Sequence, residues 1–373
     1  MRAVVVSCNM VTPYGLGADA CWDGIMSGQT AISRLGRFNT NAFHADCAAT
    51  VDNLEYLRKE SLVMQMLRSL FDSVPVPIPR DARLMMATIK GEIDLLEKSL
   101  LQGTGDASSC NLGHLLKKVA DITGVEDRGI IVSAACASST AAVARAAAMI
   151  REEHCDCALV VACDSVTEFL FSGFSALMAL DKSGARPFDK NRNGLTIGEA
   201  AAFALVMSEE RAKQEKREIV GRITGWGLSD DAYHMTRPSS DSAGRVLAIK
   251  KALKNAGIDQ NSIGLISAHG TGTVYNDAME IKAFDAIFNN KPPVYSIKGA
   301  IGHTMGAAGL VEMIIALRGL KEETVPPTVN LKDCEEDAQA WVSSGSRSVD
   351  KEKMALITSA GFGGINAALI CHK

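Results

Sequence analysis

Short apolar runs alternate with segments of helical period along almost the whole chain. Residues 3–7 (Ala-Val-Val-Val-Ser) read as a buried strand, and residues 19–27 as a helix with Trp22, Ile25 and Met26 on one face. Apolar residues recur at helical spacing over 56–72, while the alternating prolines of 74–79 permit only a linker or edge. Residues 84–89 form a candidate strand, and helical patches follow at 95–101 and 112–122. Further strands are predicted at 130–132, 157–163, 203–207, 221–228, 263–267, 294–297, 355–359 and 367–370. Helices are predicted at 136–151, 209–217, 242–255 (ending at Gly257), 277–288 and 307–320. Strand and helix alternate throughout, which places the chain in the α/β class with buried sheets.

Two of these helices are unusual. Residues 136–151 and 307–320 are rich in small residues and apolar on nearly every face, so both should be buried all round. Arg145 breaks the first pattern and should need a carboxylate or carbonyl partner. A faint internal echo links the strand ends Ile131-Val132-Ser133-Ala134, before Cys136, and Leu265-Ile266-Ser267-Ala268, before His269.

Composition narrows the function classes. The chain has 373 residues, 47% apolar and 22% charged, enough for two domains or one large layered unit. A net charge of −4 argues against a general nucleic-acid binder. No apolar run is long enough to span a membrane, and the N-terminus opens into a strand rather than a signal-peptide pattern. Ten scattered cysteines without framework spacing fit free thiols in a cytoplasmic protein.

Candidate chemistry gathers where strands end. Cys136 sits between the apolar strand 130–132 and the Ala-rich helix. Unpaired N–H groups and the helix dipole there favour thiolate, although a buried cysteine is more commonly a small apolar residue. His269 lies in Ala-His-Gly-Thr-Gly-Thr and His303 in Gly-His-Thr-Met-Gly-Ala-Ala-Gly. Either alone would pass for a hydrogen-bonded turn histidine. Two such settings among seven histidines, beside a candidate cysteine, suggest acyl transfer through a thioester. Lys298 and Glu312 flank His303, and a charge inside the apolar helix calls for an ion pair between them. Gly361-Phe362-Gly363-Gly364 is a Gly-rich loop whose N–H groups could face an oxyanion, though a plain turn is the commoner case. His154-Cys155-Asp156-Cys157 lacks the spacing of a structural zinc site, so no metal is expected. No phosphate loop or convincing dinucleotide fingerprint is present.

The segments Ala135-Cys136-Ala137-Ser138-Ser139, His269-Gly270-Thr271-Gly272-Thr273, Lys298 with Gly302 to Gly309, and Gly361 to Gly364 together resemble the β-ketoacyl-[acyl carrier protein] synthases. Asp189 to Glu199, Asp231 to Thr236 and Val325 to Asn330 add to the likeness, which is strong from about residue 124, fainter over 1–70 and poor over 73–123. The resemblance implies a thiolase fold. Two similar α/β halves, 1–215 and 216–373, would make five α-β-α-β-α layers of one ketosynthase domain. It implies that Cys136 takes an acyl group and that His269 and His303 assist decarboxylation of malonyl-carrier and stabilise the enolate. The N–H groups of Cys136 and Phe362 would form the oxyanion hole. Phe362, flanked by Gly361 and Gly363, would gate the acyl channel, and Lys298 and Glu312 would support His303. Thr271 and Thr273 would meet the phosphopantetheine arm, Phe174 would line the acyl pocket, and Arg58 and Lys59 would belong to the carrier docking strip. The implied partner is acyl carrier protein, with the chain a homodimer or one half of a heterodimer and no cofactor beyond the substrate-bearing phosphopantetheine. Three departures bear on the substrate. Residues 73–123 are shorter than the family's stretch, Ala360 stands where relatives often carry a bulky aromatic, and Met178 stands where many carry a basic residue. A non-catalytic partner of a ketosynthase and a non-decarboxylating acyltransferase are the alternatives. Retention of Cys136 argues against the first and the histidine pair against the second.

Overall fold

The computed structural model describes residues 1–74, 77–104 and 107–373. Pro75 and Val76, in the middle of the proline-rich linker expected at 74–79, lie outside the described residues. Among the described residues, ten strands form the main path of one sheet. They are β1 (Ala3–Thr12), β2 (Arg83–Ala87), β3 (Ile130–Val132), β4 (Cys157–Asp164), β5 (Ala200–Ser208), β6 (Gly221–Asp230), β7 (Ile263–Ser267), β8 (Val294–Tyr295), β9 (Met354–Gly361) and β10 (Ile365–His372). A two-residue strand, Gly15–Leu16, pairs with the end of β1.

The strand order repeats. Outward from its centre, the first half runs β1-β5-β4-β2-β3 and the second β6-β10-β9-β7-β8. In each half the first two pairings are antiparallel and the outer two parallel. The halves join where β1 pairs antiparallel with β6 through three residue pairs, Ala3–Ile223, Val4–Arg222 and Val5–Gly221.

The α-helices among the described residues are α1 (Ala18–Met26), α2 (Leu62–Asp72), α3 (Ile93–Gln102), α4 (Leu112–Thr123), α5 (Ser138–Arg151), α6 (Glu168–Ala176), α7 (Glu209–Gln214), α8 (Ala243–Ala256), α9 (Val274–Asp285), α10 (Lys298–Ile301) and α11 (Ala308–Lys321). Side-chain alternation along the strands separates the layers, because successive residues face opposite ways. In β4, Ala158, Val160 and Ala162 join α5 and α11 in a central core, while Leu159, Val161 and Cys163 join α2 and α4 in an outer one. In the second half Ala355 and Ile357 of β9 face the central helices, and Leu356 faces α8 and α9. The layers are therefore α2/α4, the first half of the sheet, α5/α11, the second half of the sheet and α8/α9.

The small residues of α5 and α11 serve close contact. A Cβ placed on Gly309 would lie 1.9 Å from Thr140 Oγ1. Ser139 Oγ accepts the Leu310 N–H at 3.0 Å, and Thr140 shares a 2.7 Å hydrogen bond with Ser359. Burial of α11 is nearly complete. That of α5 is not. Arg145 is exposed and needs no buried partner, and Ala141, Ala148 and Met149 are part-exposed, so α5 has an open side. The four-residue echo also misleads. Strand β3 before Cys136 is the outermost strand of its half, whereas β7 before His269 is the next one in; the equivalent of β3 is β8, and of α5, α11. The helix expected from residue 56 starts at Leu62, where Ser61 Oγ caps the Met64 N–H. Helix α6 escaped prediction because its aromatic segment shows no clean stripe: only Leu170, Phe171 and Ser175 are buried.

Candidate active site

Cys136 lies on a strained elbow. Strand β3 ends at Val132, Ala135 adopts φ +47°, and α5 begins at Ser138 with Ala137 as its cap. A left-handed alanine costs free energy and persists only where neighbours enforce it. Ser138 is one such neighbour: its Oγ accepts the Ala134 N–H at 2.8 Å and donates to Ala135 O at 2.6 Å. Gly361 is another. A Cβ there would lie 2.8 Å from Ala135 Cβ and 3.3 Å from Cys136 N, so the loop can approach the elbow only as glycine. Neither the Cys136 nor the Phe362 N–H donates to an acceptor in another residue among the described residues. Gly363 and Gly364 take φ +98° and +93°, and the Gly363 N–H donates to Met235 O at 2.7 Å, which fixes the loop over the cleft.

His269 follows β7. Glu280 of α9 holds its turn, accepting the His269 N–H at 2.9 Å and the Gly270 N–H at 2.6 Å. Asp277 accepts the Thr271 N–H at 3.0 Å. His303 is pinned differently, between the segment 196–198 and α11. Its N–H donates to Thr196 O at 2.7 Å and its carbonyl accepts from Gly198 N–H at 2.9 Å. A Cβ on Gly198 would strike Ile301 O at 2.0 Å. The imidazoles stand edge to face, centroids 5.1 Å apart. His303 Nδ1 accepts the Met305 N–H at 3.1 Å, which leaves its proton on Nε2. His269 Nδ1 has no hydrogen-bond partner among the described residues.

Lys298 and Glu312 form an ion pair, each side chain 1% exposed. The Lys298 N–H donates to Ser296 Oγ at 3.2 Å, and that hydroxyl donates to Gly270 O at 2.7 Å, so the pair is tied to the His269 turn. A cavity of about 350 Å³ is lined by Cys136, His269, His303, Thr271, Thr273 and Phe362. Phe174 of α6 also lines it, with its ring 5.8 Å from that of Phe362. Lys298 and Glu312 lie behind the wall. Arg58 and Lys59 are exposed and not part of the cavity lining; Arg58 pairs with Glu55 at 3.4 Å. Met178 is 71% exposed at the mouth, beside Leu177.

Electrostatics separate the cysteine from the histidines. Burial pushes the Cys136 thiol up to about 12, against the pull of the Lys298 ammonium. A resting thiolate, expected from the helix N-terminus, is therefore not what the buried site favours: the cost of desolvating the anion is the largest influence. Burial and then Lys298 hold both imidazoles well below the usual histidine range, so both are neutral.

Sequence reasoning missed Glu280, Thr196 and Gly198, and also Asp164, whose carboxylate accepts the Gly306 N–H at 2.8 Å and orders the loop after His303. Glu280 had a signal, lying one helical turn from Asp277 just after the Thr-Gly-Thr segment. Asp164 had none, since only the fold brings it to residue 306. His154 and Cys155 stand outside the site, and Cys157 is buried in β4.

Comparison with known proteins agrees with this architecture. Residues 117–212 match the beta-ketoacyl synthase N-terminal domain and residues 220–332 its C-terminal domain. The chain is 31% identical to 3-oxoacyl-[acyl-carrier-protein] synthase 2 of Vibrio cholerae, covering 100% of this chain and 99% of that one. Its counterpart from Mycobacterium leprae is 35% identical over 99% of this chain and 96% of its own length. Among solved structures, the ishigamide ketosynthase/chain length factor superposes with a TM-score of 0.89 at 27% identity, covering 100% of this chain and 99% of that one. The ketosynthase AntDE, in complex with its acyl-carrier protein AntF and bound to the hexaketide, gives 0.89 at 25% identity and the same coverage. With its repeated strand order, its Cys136 elbow and its paired buried histidines, the chain belongs to the beta-ketoacyl synthase family.

Proposed function

We propose that this chain catalyses decarboxylative condensation of an acyl thioester with malonyl-[acyl carrier protein] in fatty-acid or polyketide-type biosynthesis. The observation that carries the reading is one cavity holding a cysteine on a strained helix-start elbow together with two buried neutral histidines. Cys136 Sγ attacks the acyl thioester carbonyl, and the carrier thiol leaves with the proton that Cys136 gives up. The unpaired N–H groups of Cys136 and Phe362 stabilise the tetrahedral oxyanion. Malonyl-carrier then loses carbon dioxide, and its C–C bonding pair becomes the enolate. The His303 Nε2–H donates to the enolate oxygen, with His269 beside it, and neutrality of both keeps their donors available without a proton transfer. The enolate carbon attacks the Cys136 thioester. Collapse expels the Cys136 thiolate, which takes up a proton, and releases a β-ketoacyl-carrier.

The remaining residues support this cycle. The Lys298–Glu312 pair positions His303, and Thr271 and Thr273, hydrogen-bonded to each other at 2.9 Å, meet the phosphopantetheine arm. Phe362, packed on Phe174, gates the acyl pocket between Gly361 and Gly363. Arg58 and Lys59 form an outlying part of the carrier docking surface. The chemistry draws on no cofactor beyond the arm that carries the substrates. The two halves of the domain meet at residues 215–216, in the turn between α7 and β6. A second chain, identical or homologous, pairs along β3: this is the edge strand, its Ile130 is 46% exposed, and α5 is open beside it. Free thiols at Cys8, Cys21, Cys47, Cys136, Cys155, Cys157, Cys163, Cys334 and Cys371 suit a cytoplasmic enzyme, and no helix among the described residues is long and apolar enough to cross a membrane.

The test is product analysis. Incubated with an acyl thioester and malonyl-carrier, the protein is expected to yield one β-ketoacyl-carrier per carbon dioxide released. Acyl exchange between thioesters without carbon dioxide release would replace condensation with simple acyl transfer.

A further inference from the structure

The first turn of α8 carries a cation that is out of place. Arg245, its third residue, is 1% exposed, and the positive end of the helix dipole disfavours a guanidinium there. A buried charge persists only when paired. Arg245 Nη1 pairs with Glu280 Oε1, and Nε donates to Asn366 Oδ1 at 3.3 Å. Nη2 has no partner among the described residues.

Glu280 is already heavily engaged. Besides the His269 and Gly270 N–H groups it accepts Thr358 Oγ1–H at 3.0 Å and Asn276 Nδ2–H at 3.1 Å. Asn366 lines the cavity, and its Nδ2 donates to Asp231 Oδ1 at 2.7 Å and Gly364 O at 3.0 Å. Gly244 allows this packing: a Cβ there would lie 1.9 Å from Asp231 Oδ1. Arg245 thus stands between the histidine turn on one side and the Phe362 and Asp231 loops on the other.

We propose that Arg245 is a positioning residue for condensation, a fixed buried cation that anchors the His269 turn through Glu280 and locks that turn to the cavity's outer loops through Asn366. The proposal rests on the assignment of His269 to decarboxylation. The charged and titratable groups around His269 are Lys298 from α10, Glu312 from α11, Asp277 and Glu280 from α9, Arg245 from α8, His303 and Cys136. Lys298, His303 and Arg245 all act to keep its imidazole neutral. Loss of the guanidinium removes a cation that disfavours the imidazolium and leaves Glu280 uncompensated against the His269 N–H. This favours the imidazolium, so the acid limb of activity moves to higher pH.

The experiment compares Arg245→Met, Arg245→Lys and the double variant Arg245→Met/Glu280→Gln, which leaves no unpaired buried charge. Carbon dioxide release from malonyl-carrier is followed across pH, alongside acylation of Cys136 and the thermal midpoint. In Arg245→Met, carbon dioxide release is expected to fall about 10²-fold with its acid limb displaced upward, while acylation is little changed. Arg245→Lys restores most of the rate and the profile. The double variant, folded even where Arg245→Met is not, keeps the loss of carbon dioxide release. A wild-type rate and profile in a folded variant with Met at position 245 overturns the proposal. So does an equal loss of acylation and decarboxylation with an unshifted profile, which marks a merely structural residue. Absence of carbon dioxide release by the unmodified protein overturns the functional reading instead.

Discussion

The two halves of the sheet share one strand order, yet burial does opposite chemical work at their active ends. In the first half, burial raises the cost of the anion that Cys136 would become as the proposed nucleophile. In the second half, the same exclusion of water keeps His269 and His303 in the neutral form suited to donating to an enolate. Backbone geometry is divided in the same way. The nucleophile depends on strain, with Ala135 at φ +47°, whereas the histidines depend on carboxylate and carbonyl anchors without strain at the ring-bearing residues. A repeated fold therefore supplies equivalent positions, and the local partners decide which protonation state each position favours.

His303→Ala should give the largest break in this comparison. It removes the proposed enolate donor but not the elbow, so carbon dioxide release is expected to fall by about 10²- to 10⁴-fold while acylation of Cys136 continues. Parallel stopped assays of the two half-reactions check this, and loss of acylation to the same degree would dissolve the division of labour. Next in size is Lys298→Met. It leaves Glu312 buried and unpaired, and stability should drop by about 3–5 kcal/mol in denaturant unfolding. Lys298→Met/Glu312→Leu should recover most of that stability without recovering decarboxylation. Recovery of activity in the double variant would show the pair to be only structural.

A gentler probe is pH. Because the thiol is pushed up from its usual value to about 12, the thiolate fraction is small at neutral pH and grows throughout the alkaline range. Iodoacetamide labelling of Cys136 should rise about tenfold per unit between about pH 7 and 10, with no plateau near neutrality. Carbon dioxide release, by contrast, should stay level through the ordinary imidazole range, since both rings are held below it and remain neutral above their lowered values. The smallest effect concerns the shared helix layer. Arg145→Ala should change the stability of the isolated chain by less than about 0.5 kcal/mol, because the side chain is exposed.

Much of this was legible in the sequence, and for identifiable reasons. Strand β7 was readable to the residue because an apolar run meets a glycine-rich turn. Both central helices were readable because small apolar residues cover every face, though the open side of α5 was not, since alanine suits exposed and buried sites alike. Strand-end settings singled out Cys136, His269 and His303, which the structure brings to one cavity, and the cost of a charge inside an apolar helix pointed to the Lys298–Glu312 pair. What stayed hidden depends on contacts distant in sequence. Thr196 meets His303 and Asp164 meets Gly306 only after the halves pack, and Arg245 meets Glu280 only after α8 and α9 pack together. The upward push on the thiol was not legible because a helix start is visible in the sequence, whereas burial of Cys136 is not.

Mass spectrometry of the acylated protein tests the central claim most directly. After brief incubation with an acyl thioester alone, the peptide bearing Cys136 should carry one acyl group in the unmodified protein and in His303→Ala, and none in Cys136→Ala. An acyl group on another residue, or undiminished condensation by Cys136→Ala, would contradict the account.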